Sequence, residues 1–156
     1  MVYYHCFISI FINMQPIDPH NLFSIFEQGD EQIYKEHQLD DVLQNPFVLM
    51  GMVLRGIENY NLMDIIYKRQ YPKEYIKVRE MTKLKYFNKL FSYLQRIDLN
   101  KKEQMYTIGE SFDRESILSG LHVLRVFYER LEHYEKCAVI KRYVGLVESQ
   151  PESRLI

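Results

Sequence analysis

An all-α fold, a compact bundle of about six or seven helices, is what this sequence predicts. Three observations carry that expectation. Apolar residues recur at three- and four-residue spacing through most of the chain, proline and capping residues punctuate those runs, and no strand-type alternation occurs between residues 15 and 150. The loops between the runs are short and no long Gly/Ser/Pro linker divides the chain, so residues 1–156 read as a single helical domain.

The elements follow in order. Residues 1–13, MVYYHCFISIFIN, are apolar but too short for a membrane span, which needs about 20 residues. No Lys or Arg precedes Lys35, which argues against a signal peptide. The segment reads as an apolar N-terminal arm or as an extension upstream of Met14. Asp18–Pro19 is a cap-plus-proline start for a short helix holding Leu22, Phe23 and Phe26, with Gly29 as its stop. A second helix is expected over 31–44, with Ile33, Tyr34, Leu39, Val42 and Leu43 apolar. Asn45–Pro46 repeats the start signal and opens FVLMGMVLRGIENY, apolar on nearly every side and therefore read as a central, buried helix. Gly51 and Gly56 cost it about 1 kcal/mol each relative to alanine, which implies that they admit a close neighbour. Asn61 is read as the cap of a separate helix, LMDIIYKRQ, ending before Pro72.

The stretch 72–98 is the clearest amphipathic helix, with Leu84, Phe87, Leu90, Phe91, Leu94 and Ile97 on one side and Lys85, Lys89 and Arg96 opposite. LNKKEQMYTIGESF then reads as a polar link. Asp113 caps a helix expected over 114–132, carrying Ile117, Leu118, Leu121, Leu124, Phe127, Tyr128 and Leu131. A last helix is expected over 134–147, with Cys137, Ala138, Ile140 and Val144, and residues 149–156 read as a frayed tail.

Apolar residues make up 47% of the chain and charged residues 26%, the balance of a folded rather than a disordered protein. Cys6 and Cys137 are its two cysteines, too few for a disulfide scaffold, and they read as reduced thiols of a cytoplasmic protein. The net charge of −1 hides an asymmetry. Residues 1–66 hold two bases and nine acids (net −7), residues 67–102 eleven bases and three acids (net +8), and residues 103–156 seven bases and nine acids (net −2). A basic helix is thus flanked by acidic stretches. Its cations either meet a partner, stay solvated, or pair with the acidic helices, each exposed pair contributing about 0–1 kcal/mol. The candidate binding surface joins Lys77, Lys85, Lys89 and Arg96 to Tyr86 and Tyr93, taken as exposed tyrosines beside the basic flank. A protein partner is favoured, with nucleic acid as the alternative through the same helix. The sequence pI near 6.5 lies below that of a dedicated nucleic-acid binder.

No catalytic or metal-binding constellation is found, and no cofactor is implied. The five histidines form no HExxH or Glu-x-x-His pair, and no phosphate loop or nucleophile elbow occurs. The Arg-to-His spacing of HEPN-type ribonucleases is also missed, since Arg125 precedes His133 by seven intervening residues and Arg130 by two. Glu129 and Glu132, beside His133, read as helix-surface partners of Arg125 and Lys136 rather than as acid–base groups.

Residues 131–141, LEHYEKCAVIK, resemble the UVR motif of bacterial excision-repair proteins through Tyr134, Glu135, Ala138, Ile140 and Lys141, with one extra residue between Leu131 and the aromatic position. That resemblance implies a short helical hairpin used for protein–protein contact. The small, Tyr- and Lys-rich helical character also resembles phage-encoded accessory proteins. The expected function is therefore a non-enzymatic helical module, an accessory factor or inhibitor that docks on another macromolecule.

Overall fold

The computed structural model describes residues 44–149, all of whose regular structure is helical. Five helices follow one another: α1 (Pro46–Gln70), α2 (Pro72–Arg96), α3 (Lys102–Ser111), α4 (Arg114–Arg130) and α5 (Tyr134–Ser149). The two helices expected over 18–29 and 31–44, the arm over 1–13 and most of the expected tail lie outside the described residues.

The helix starts are made as the sequence indicates. Asn45 accepts from the Phe47 amide at 2.9 Å with Pro46 in the first turn, and Asp113 accepts from the Ser116 amide at 2.9 Å. Pro72 ends α1 and begins α2, so Tyr71 alone joins two 25-residue helices. Asn61 does not restart a helix. It sits exposed within α1, whose buried stripe runs through Tyr60 and on to Tyr67 without a break. Nor is α1 enclosed on every side, since Phe47, Leu62 and Ile65 are exposed.

The segment read as a polar link contains α3. Met105 and Ile108 give that helix a narrow apolar edge, which docks on the core, while Phe112 stacks on Phe47 with ring centroids 5.1 Å apart. Two apolar anchors in ten residues are too few for a clear period, and packing supplies what propensity does not. The total is five helices among the described residues, fewer than six or seven, because the region 46–70 is continuous and the two helices expected before it fall outside them.

A single buried cluster draws on all five helices. The α1–α2 hairpin is held closely by glycine: a Cβ on Gly56 would lie 2.4 Å from Leu90 Cδ2, so any larger residue would force the buried Leu90 side chain or the helices to shift. Gly120 plays the same part for α4 on α1, where a Cβ would lie 2.6 Å from Leu54 Cδ2. The α4–α5 hairpin turns over Leu131–His133, with Glu132 in the left-handed region (φ 59°) and the His133 amide donating to Tyr128 O at 2.9 Å. Between the hairpins lies a layer of rings. Phe87 meets Phe127 at 4.7 Å and Phe91 meets Tyr128 at 5.6 Å, both edge to face. Tyr143 of α5 donates to the carbonyls of Leu94 and Ile97, tying α5 to the end of α2.

Candidate functional site

The proposed binding residues all derive from α2, and burial divides them. Lys77, Lys85 and Arg96 are exposed and Lys89 is half-buried. None of Lys85, Lys89 and Arg96 is without an interaction partner; Arg96, for instance, lies over the Tyr93 ring at 5.7 Å. The expectation of two exposed tyrosines needs correction. Tyr93 is buried, with 4% of its surface exposed. Tyr86 is half-buried, its ring 5.5 Å from Tyr60 and its hydroxyl donating to Gly56 O at 3.1 Å. The reason is the width of the apolar arc. α2 packs against α1 and also against α4 and α5, so it buries more of its circumference than a helix lying on one neighbour.

A second cationic group, which the sequence reading passed over, lies where α1, α2 and α4 meet. Asp64 of α1 accepts from Tyr75 Oη at 2.9 Å and from Arg79 Nε and Nη2 at 2.6 and 3.1 Å. Burial alone would raise the Asp64 pKa, but the hydrogen bonds from Arg79 and Tyr75 outweigh it and hold the carboxyl below the ordinary aspartate value. One turn further, Lys83 lays its ammonium over three rings, 5.5 Å from the Tyr60 centroid, 5.2 Å from Phe87 and 5.4 Å from Phe127. It makes no ion pair among the described residues. Burial, and after it the positive charges of Arg130 and Arg79, hold its pKa below that of an ordinary lysine. Arg130 at the end of α4 bonds Glu80 across the seam at 2.9 Å. The signal that could have revealed this group is the spacing of Arg79 and Lys83, four residues apart on the apolar side of the helix.

The other candidate groups settle into structural contacts. Glu129 pairs with Arg125 at 3.3 Å, as the helical spacing predicts. Glu132 does not pair with Lys136, because it stands in the turn and not on the helix. Lys136 turns instead to Asn88 Oδ1 and lies over the Tyr128 and Phe91 rings at 4.5 and 5.4 Å. Cys137 is half-buried, its thiol 3.9 Å from Arg125 O and its pKa raised chiefly by burial. A groove of about 590 Å³ opens between α1 and the start of α4, with Leu54 and Phe112 in its wall and Glu58, Asp113 and Glu115 near its rim. Its lining includes no histidine or cysteine. Among the described residues no three His, Cys, Asp or Glu side chains converge on a metal site, and no helix is long and apolar enough to cross a membrane.

No family model, curated protein or solved structure matches the chain. The residues that resemble the UVR motif, Tyr134 to Lys141, lie within the single helix α5 just after the α4–α5 turn, with Tyr134 exposed and Ile140 buried. Helical hairpins of this kind are common to many folds, so the functional reading rests on the chain's own surfaces.

Proposed function

We propose that this chain is a non-enzymatic helical binding protein that docks on another protein, in the manner of a phage-type accessory factor or inhibitor. The observation that carries this reading is the tip of the α1–α2 hairpin. There Ile65 and Ile76 are more than half exposed, as are Leu62 and Met81 further along the two helices, and the exposed cations Lys68, Arg69, Lys73 and Lys77 lie on either side of the connection. Large apolar side chains in water have a cost that a protein partner relieves. Phosphates offer them nothing. The alternative, nucleic-acid binding through the basic helix, keeps its charge but loses its stacking platforms, because Tyr93 is buried and the Tyr86 hydroxyl is turned inward.

Affinity capture from an extract of the natural source tests the reading, comparing the wild-type chain with an Ile65→Ser/Ile76→Ser variant and with Tyr106→Ser, a change at an exposed residue on α3. A partner retained by wild type and by Tyr106→Ser but lost from the tip variant is the expected result. Equal capture by all three proteins refutes the tip as the contact. Retained DNA or RNA whose binding weakens steeply with salt establishes the alternative.

A further inference from the structure

We infer that the seam of α1, α2 and α4 is a binding site for a single oxyanion, a carboxylate or phosphoryl group, held by Lys83 and Arg130 against the wall formed by Tyr60, Phe87 and Phe127. The site is separate from the hairpin-tip contact proposed above and does not depend on it.

Charge and geometry both point there. Arg79, Lys83 and Arg130 bring three positive charges to the seam, while Asp64 and Glu80 bring two negative ones. The two carboxylates are already engaged. Asp64 takes both the Nε and Nη2 bonds of Arg79, and Glu80 takes a bond from Arg130 Nη2. The surplus charge rests on Lys83, which has ring faces below it and, among the described residues, no carboxylate in ion-pair contact. Ring faces attract an ammonium but leave its N–H donors without a strong acceptor. Burial withdraws water from the same group. An oxyanion beside Lys83 and Arg130 would supply that acceptor, offset the surplus positive charge, and gain from a partly desolvated setting in which charge-assisted hydrogen bonds are strong. The Arg130–Glu80 pair is mostly solvent-exposed, so Arg130 can share its guanidinium with an incoming anion at little cost.

The test uses the whole chain with lysine labelled at Cε and NMR titration with sodium acetate and, separately, inorganic phosphate, exchanged against chloride at constant ionic strength. The Lys83 resonance is expected to shift saturably, while Lys77, exposed on the same helix, follows only a shallow linear drift. Saturation by acetate alone assigns a carboxylate, and saturation by phosphate alone assigns a phosphoryl group. Two variants give opposite expectations. Arg130→Gln removes a charged donor and should weaken binding by about tenfold or more. Glu80→Gln releases Arg130 from its carboxylate and should tighten it. Circular dichroism confirms that each variant is folded, and because the second variant is expected to bind better, loss of structure cannot imitate the result. Lys83 and Lys77 shifting alike, or either variant leaving the affinity unchanged or moving it the other way, overturns the inference.

Discussion

Asp64→Ala is the most informative single perturbation of this fold. The Asp64 carboxylate gathers three hydrogen bonds from α2, two of them from one guanidinium, and its side chain is only 17% exposed. Hydrogen bonds to charged groups contribute roughly 1.5–3 kcal/mol each, but the three do not add. Arg79 keeps 35% of its side-chain surface in water, which would rehydrate most of its lost bonding. The Tyr75 residue is 1% exposed, so its hydroxyl loses an acceptor with little access to solvent. The expected cost is therefore about 2–3 kcal/mol, most of it from Tyr75 and the remainder from an incompletely hydrated Arg79. With a urea slope of about 1–3 kcal/mol/M, the unfolding midpoint should fall by about 1 M. The pH dependence supplies a second reading. The folded-state pKa of Asp64 lies below its ordinary value, so this share of stability is complete above the unfolded carboxylate pKa of about 4. It is lost as pH falls through the lower folded value. The gap between wild type and variant should close over that acid range. A coupling below about 0.5 kcal/mol in an Asp64→Ala/Tyr75→Phe double-mutant cycle, or a gap unchanged on acidification, would refute the reasoning.

Other changes test the packing. Gly56→Val should lower stability by about 1–3 kcal/mol, since its Cβ would meet Leu90, whereas Gly145→Ala, with nothing within 4 Å, should raise it by about 0.5–1 kcal/mol; thermal unfolding of the pair shows whether the signs are opposite. Tyr93→Ala should cost about 3–5 kcal/mol as a core deletion, and a midpoint equal to that of wild type would return Tyr93 to the surface. Tyr143→Phe should cost about 1–2 kcal/mol, chiefly through the Ile97 carbonyl that loses its donor, since the Leu94 carbonyl keeps the Ile97 amide, read by urea denaturation. Asp113→Ala should cost about 1 kcal/mol and loosen amide protection in the first turn of α4 alone, which hydrogen exchange would resolve.

The parts of this fold legible in the sequence are those written in local chemistry. Asn45–Pro46, Pro72 and Asp113 are boundaries because a side-chain acceptor or a missing amide acts within one turn, and each is where the structure places it. The apolar period of 114–130 is equally local. What could not be read depends on distant partners. Whether Asn61 starts a helix or rides on one depends on whether α2 covers both sides of it, and Met105 and Ile108 define a helix only once a core stands ready to receive them. The binding residues divide in the same way. The lysines' charge is visible in sequence, but the burial of Tyr93 follows from α2 having several neighbours, and the Lys83 group exists only because α1 and α4 bring Tyr60, Phe127 and Arg130 to it.

The way α1 joins α2 through Tyr71, and α4 joins α5 through three residues, bears on how the chain reaches its native state. Each pair can zip along its length at low loop-closure entropy, because its contacts lie near one another in sequence. The meetings of Phe87 with Phe127, Phe91 with Tyr128 and Tyr143 with Leu94 instead bridge some forty to fifty residues. Early order should therefore belong to the hairpins taken singly, and the slow, cooperative event is the interlocking of the aromatic rings. Substitutions in that ring layer should slow this step of folding while leaving hairpin formation nearly unchanged.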